Sequence, residues 1–146
     1  MINLKVNEAK SQFFDRVMVL AKTDQATAKN LSKAGAFVRR KAKGLIVKSK
    51  NPSKPGRPPH SHVGTLRDLI FFVLDSGGRS VLVGPVLSNR PSGAPYVLEI
   101  GGENEVYVSR GKRKRTVYIP KRPYMGPALQ SEMPKFPELW ANSVKL

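Results

Sequence analysis

Cysteine is absent from this chain of 146 residues, which excludes disulfide bonds and chemistry based on a thiolate. A chain without disulfides fits a reducing cytoplasm. Long apolar runs are absent as well. The longest, Leu69–Leu74, is far shorter than the roughly 20 residues of a membrane-spanning helix, and no apolar signal region stands at the N-terminus. We therefore expect a soluble protein that is made inside a cell and has no membrane partner.

Acidic residues are scarce. The chain has 10 of them against 26 lysines and arginines, which gives a formal net charge of +16 at pH 7. Two segments, residues 39–67 and residues 110–122, hold nine and seven of the basic residues and no acid. A surface that only needed to be soluble would intersperse the two signs. The clustering therefore indicates an acidic partner, either nucleic acid or an acidic protein surface.

Groups suited to catalysis are equally few. The only histidines, His60 and His62, have Asp68 as their nearest carboxylate along the chain, which falls short of the three or four ligands of a zinc site. No nucleophile elbow, paired-carboxylate motif or phosphate-binding glycine loop is found. The pair Gly101-Gly102 follows a predicted helical turn at Ala94–Ile100 and not a strand. We therefore expect no enzyme activity, no metal site and no cofactor.

A proline- and glycine-rich stretch, residues 48–64, separates a helical half from a β-rich half. It contains four prolines and no acid. Proline fixes φ and removes a backbone donor, so this stretch is excluded from helices and central strands. We predict a flexible basic loop without regular structure, because loops of this length inside a domain are usually functional or disordered until bound.

A long helix is predicted from Arg16, with Asp15 as its N-cap. Apolar or small residues recur every three to four positions over about thirty residues; they are Val17, Ala21, Ala28, Leu31, Gly35, Val38, Ala42 and Leu45. Alanine and glycine allow another backbone to approach closely, so the stripe favours a core-facing helix over a coiled coil, which uses larger residues. The polar residues 22–25 interrupt this stripe, so the pattern is also compatible with a break in the helix there. Upstream, the alternation of apolar and polar residues in Ile2–Val6 predicts a short strand.

Two β-prone runs, Leu69–Leu74 and Ser80–Val83, flank a turn with a glycine pair at Gly77-Gly78, which is typical of a β-hairpin. The first strand is apolar on both faces, whereas a surface antiparallel strand should alternate with polar residues. Either a helix covers each face, or one face is covered by another subunit.

A second hairpin is predicted from Glu105–Ser109 and Thr116–Ile119. Its tip, residues 110–115, is almost wholly basic: Arg110, Lys112, Arg113, Lys114 and Arg115. Such charge suits phosphate contact, but reading a sequence requires base contacts, and no known DNA- or RNA-reading motif is present. A protein that binds nucleic acid without sequence preference is therefore the alternative function. Pro127 and Pro137 predict two short C-terminal helices.

Motifs along almost the whole chain resemble, in the same order, those of a family of tailed-bacteriophage morphogenesis proteins, the neck or tail-completion proteins of long-tailed phages. The matching segments are Phe13-Phe14-Asp15-Arg16, Gly35-Ala36-Phe37-Val38-Arg39, Pro55–Leu66, Val83-Gly84-Pro85, Ala94-Pro95, Leu98-Glu99, Gly101-Gly102, Arg122–Leu129 and Pro134–Trp140. His60 and Val63 stand where this family would have small or hydroxylated residues, so His62 is the motif histidine.

The resemblance implies a single domain over residues 1–146 with an α+β fold: a small twisted, mainly antiparallel sheet packed against one long N-terminal helix, with short C-terminal helices. It implies a structural virion protein that forms a ring, commonly six-fold, at the head–tail junction (neck, tail completion or tail terminator) around the DNA channel. Its partners would be copies of itself, adjacent neck or connector and tail-tube proteins, and packaged DNA through non-specific contact. It would be made in the cytoplasm of the host bacterium and act in the virion.

Three groups of residues receive roles on this basis. An assembly loop is assigned to Pro55, Gly56, Arg57, Pro58, Pro59, His62 and Gly64. The five basic residues of the hairpin tip would face either channel DNA or an acidic partner protein. Subunit contacts are assigned to Phe71, Phe72, Tyr124, Met125 and Trp140.

Overall fold

The computed structural model describes residues 16–86, 94–108, 113–141 and 143. Its elements follow in the order α1 (Arg16–Leu45), β1 (Val47–Lys48), β2 (His60–Ser61), α2 (Thr65–Asp68), β3 (Ile70–Leu74), β4 (Val81–Pro85), α3 (Ala94–Ile100), β5 (Gly102–Val108), β6 (Arg113–Ile119), α4 (Met125–Glu132), a 3₁₀ turn (Met133–Lys135) and α5 (Phe136–Trp140). The predicted α+β class is confirmed. The predicted strand Ile2–Val6 and the predicted cap Asp15 lie outside the described residues.

Helix α1 is continuous over 30 residues, so the break left open at residues 22–25 does not occur. Its buried residues lie from the middle of the helix onward: Asn30, Ala34, Gly35, Val38 and Ala42. The predicted stripe faces the core only there, because Val17 at the other end is 78% exposed. Within the described residues, no helix combines the length and the apolar character needed to cross a bilayer.

The first predicted hairpin is confirmed as β3 and β4, which pair antiparallel with Phe72 opposite Val83. The ribbon packs directly on α1, where Gly35 makes the close approach possible. A Cβ atom on Gly35 would lie 2.7 Å from Cγ2 of Val81 and 3.0 Å from Cδ2 of Phe72. Real Cβ atoms do not approach so closely, so the absence of a side chain at this position sets the distance between helix and hairpin.

The strands of the described residues form three separate two-stranded sheets, β1–β2, β3–β4 and β5–β6, where one small sheet was predicted. The β5–β6 pair is antiparallel and extends from Gly102 opposite Ile119 to Val108 opposite Arg113. This second hairpin is therefore longer than its predicted strands. It starts directly after Gly101, whose φ of +80° ends α3, in agreement with the predicted helical turn.

The core lies where α1, β3 and α4 meet. Its buried members are Val38, Ala42, Ile46, Ile70, Tyr124 and Ala128. Helices α4 and α5 both pack against α1. Pro127 and Pro137 stand in their first turns, as the sequence predicts.

Candidate assembly surface

The side of the β3–β4 hairpin that faces away from α1 is apolar and open; we call it the outer face. It is formed by Phe71, Val73, Leu82 and Val86, which are 46%, 60%, 68% and 54% exposed. Together with Gly84 and Pro85 these residues line a shallow groove of about 300 Å³. A helix therefore covers only one side of the double-sided apolar strand β3, and the other side is open.

The inner side of the same strand belongs to the core. Ile70 has no exposed surface, and Phe72 is partly buried against Gly35 of α1. The two neighbouring phenylalanines assigned to subunit contacts therefore differ, because side chains alternate along a strand. Phe71 is available to a partner, whereas Phe72 stabilises the fold of the subunit itself.

Two cations border the outer face at Phe71. The Arg39 guanidinium lies 5.5 Å and the Lys43 ammonium 5.6 Å from the centre of the Phe71 ring. Each is fixed by a backbone carbonyl: Arg39 Nε donates to Ile70 O at 2.9 Å and Lys43 Nζ to Asp68 O at 3.3 Å. Sequence reasoning missed this role, although the spacing of four residues puts both cations on one side of a helix.

The proline- and glycine-rich stretch is more structured than predicted. Val47 and Lys48 pair in parallel with His60 and Ser61 and so close its two ends. Pro59, which directly precedes His60, is buried. Of the other assigned loop residues, Pro58 and Gly64 are partly buried, whereas Pro55, Gly56, Arg57 and His62 are exposed. The expected flexibility of the segment stays a prediction.

The middle of this stretch is attached to the segment before α4. The N–H of Gly56 donates to Lys121 O at 2.8 Å, and Arg122 Nε donates to Ser53 O at 3.0 Å. The backbone N–H of Arg122 also donates to Leu98 O at the end of α3. Arg122 therefore joins three parts of the chain, and two motifs of the family resemblance meet at this position.

Tyr124 was assigned to a subunit contact, and the structure corrects this. Its side chain is 1% exposed and lies in the core, so a neighbouring subunit cannot reach it. Burial, with a smaller contribution from the charge of Glu99, raises the pKa of the Tyr124 hydroxyl to about 12. Met125 and Trp140 line an apolar cleft of about 420 Å³ between α1, β4 and the C-terminal helices, where Trp140 is 38% exposed.

The basic hairpin tip also needs correction, because three of its five residues belong to strand β6. Arg113 and Arg115 lie on one side of this strand and Lys114 on the other, since neighbouring side chains alternate. Lys114 forms an exposed ion pair of 3.0 Å with Glu105. Arg110 and Lys112 lie outside the described residues.

Among the described residues, no three His, Cys, Asp or Glu side chains are placed to hold a metal ion together. Nδ1 of His60 lies 2.8 Å from the carbonyl oxygen of Asn51, a contact within the loop. What the described surface offers is an apolar face with a cationic border, which is suited to binding.

Comparison of the chain with protein-family models, with curated proteins and with solved structures finds no match. Its function is therefore inferred from its own surfaces, together with the order of its sequence motifs.

Proposed function

We propose that this protein is a structural subunit of the head–tail junction of a long-tailed phage. Copies of it form a ring, of six subunits in keeping with the family resemblance, around the DNA channel and join the tail to the head. Its partners are copies of itself and the adjacent neck, connector and tail-tube proteins. It acts in the virion through binding alone, without catalysis or a cofactor.

The observation that carries this proposal is the outer face of β3–β4. Large contiguous apolar patches are uncommon on monomeric proteins, and here four large apolar side chains share one face of a two-stranded ribbon. The other face of the ribbon already packs on α1, so the one long helix among the described residues covers only one side of the ribbon. A ring covers the remaining side by repeating one contact until it closes.

The contacts between sequence motifs support the same function. Glu99 accepts a hydrogen bond from the N–H of Gly126 at the start of α4, and the N–H of Arg122 donates to Leu98 O. Segments that resemble the phage family one by one along the sequence are thus bonded to each other in the folded chain. This is expected if they were matched to one architecture and not by chance.

The direct test is joining of purified phage heads and tails that lack this component. Added protein is expected to produce complete particles, and native mass spectrometry is expected to show a closed oligomer, alone or on the head. A chain that stays monomeric in both settings and joins no particles would contradict the proposal.

The alternative function, nucleic-acid binding without sequence preference, is favoured by one observation. Arg113 and Arg115 are exposed on the same side of β6, and the basic residues Arg110 and Lys112 are close to them in sequence. Tight binding of duplex DNA by the monomer, at physiological salt and without any activity in joining heads to tails, would favour this alternative.

A further inference from the structure

The β5–β6 hairpin carries an exposed aromatic side chain beside an exposed acid. Tyr118 is 69% exposed, and Glu103 lies directly opposite it across the two strands. Both therefore project from the same side of the hairpin. Glu105 on the same side is already paired with Lys114. Within the described residues, Glu103 has no ion pair.

The outer face of β3–β4 presents the complementary arrangement. There an exposed aromatic ring, Phe71, lies beside two cations, Arg39 and Lys43. Their hydrogen bonds to backbone carbonyls hold these cations in place, so little side-chain freedom remains to be lost on binding. A suitable partner surface would bring an apolar or aromatic group to the outer face and a carboxylate to its border.

A contact between two outer faces does not meet this requirement. In such a two-fold contact the same surface meets itself, so Arg39 and Lys43 would meet the four apolar side chains of a second outer face, none of which supplies a carboxylate. The Tyr118 and Glu103 side of a second copy supplies an aromatic ring and a carboxylate instead.

We infer that the β5–β6 hairpin of one subunit, through Tyr118 and Glu103, docks on the outer face of the next, where Glu103 meets Arg39 and Lys43. This rests on the proposed function and names the two surfaces that its assembly uses. The two surfaces differ, so the contact is heterologous and can repeat from subunit to subunit until a ring closes. Neither surface is covered within its own subunit, because Phe71 and Tyr118 are both exposed there.

Mixing two damaged subunits tests the pairing. Phe71→Asp removes the docking face and Tyr118→Asp removes the docking hairpin, and both positions are exposed, so both variants are expected to keep a native circular dichroism spectrum. Each variant alone should associate on the order of 100-fold more weakly than the unaltered chain. Mixed together, they should form a heterodimer and nothing larger, because only one intact pair of surfaces remains.

A charge exchange tests the polar part of the contact. Lys43→Glu and Glu103→Lys should each weaken association by about tenfold, and the double variant should recover most of it. Glu138→Lys, which changes an exposed acid on α5, serves as the matched control and should leave association unchanged.

The outcomes separate this inference from the proposed function. If the unaltered chain forms rings and Tyr118→Asp does so equally well, the inference is wrong and the proposed function stands. Normal self-assembly of Lys43→Glu with failure to join heads to tails would assign the outer face to another neck protein and also overturn the inference. If the unaltered chain never assembles and joins no particles, both fail.

Discussion

A hydrogen bond between Glu99 and Gly126 connects α3 to the start of α4. Oε1 of Glu99 accepts a hydrogen bond from the Gly126 N–H at 2.8 Å, and Oε2 accepts from the N–H groups of Tyr124 and Met125 at 2.9 Å and 3.1 Å. The first N–H groups of a helix have no partner inside it. Since Tyr124 provides no side-chain cap of its own, a carboxylate from a different helix takes over this role.

Glu99→Ala is therefore expected to lower the free energy of unfolding by about 3 kcal/mol, because charge-assisted hydrogen bonds to partly buried N–H groups are lost. Glu99→Gln keeps one acceptor oxygen and should lose about half as much. Urea unfolding, followed by circular dichroism, measures both values. Equal stability of all three chains would show that the cap has no role in the fold.

Tyr124 predicts a loss of stability in alkali. Its pKa is raised by burial to about 12 in the folded chain, from 10.0 for an ordinary tyrosine. The folded state thus holds this proton more tightly than the unfolded state. The contribution of the Tyr124 hydroxyl to the free energy of unfolding is therefore fully present below pH 10 and is lost as pH rises to about 12. At roughly 1.4 kcal/mol per pH unit, the loss approaches about 3 kcal/mol.

The control for this prediction is Tyr124→Phe, which cannot ionise. The difference in unfolding free energy between the two chains should change between pH 10 and 12 and stay constant between pH 7 and 9. A constant difference over the whole range would contradict the assignment of this titration to Tyr124.

Two glycines of α1 should respond in opposite directions to the same substitution. Gly35→Ala places a methyl group 2.7 Å from Val81 and should destabilise the chain by about 1–3 kcal/mol through overpacking. Gly44 has no atom within 4 Å of an added Cβ, so Gly44→Ala should stabilise by about 0.5–1 kcal/mol through helix propensity. Thermal unfolding of both variants decides whether the α1–hairpin contact is as close as described.

The two phenylalanines of β3 should separate folding from assembly. Phe72→Asp puts a charge against Gly35 of α1 and should unfold the subunit, since truncation of a phenylalanine in a core already costs about 3–5 kcal/mol. Phe71→Asp should leave the circular dichroism spectrum native and weaken self-association on the order of 100-fold in analytical ultracentrifugation. Unfolding of both variants would mean that the whole strand is core.

The basic side of β6 predicts binding to DNA that depends on salt and not on sequence. Replacing Arg113 and Arg115 by glutamine should lower the slope of log K against log salt concentration by about 2. Replacing Lys22 and Lys29 of α1 by glutamine removes the same charge elsewhere and should change the slope less. A strong preference among unrelated duplexes would point instead to a regulator, and an unchanged slope would assign these arginines to an acidic protein partner.

The order and the type of the main elements, α1, the two hairpins and the C-terminal helices, followed from local patterns, whereas the β1–β2 pair did not. Spacing of three to four residues defined α1, and β-prone runs around glycine turns defined both hairpins, because each pattern reflects contacts between neighbouring residues. The limits of this reasoning are visible at the strand ends. The sequence placed Arg113 in the basic tip of the second hairpin, whereas the structure places it in strand β6. The strands of an exposed hairpin tolerate charged residues.

The sequence by itself determined the α+β class, the double-sided apolar strand and the excess of basic charge. Only the tertiary structure decided which side of that strand stays open, since this depends on the packing of Phe72 against Gly35. It also decided that Tyr124 is core. The hydrogen bond from Arg39 to Ile70, which places a cation beside Phe71, and the cap of Tyr124 by Glu99 join residues 31 and 25 positions apart. Contacts across such distances leave no periodic trace in the sequence, because they arise only when separate elements pack together.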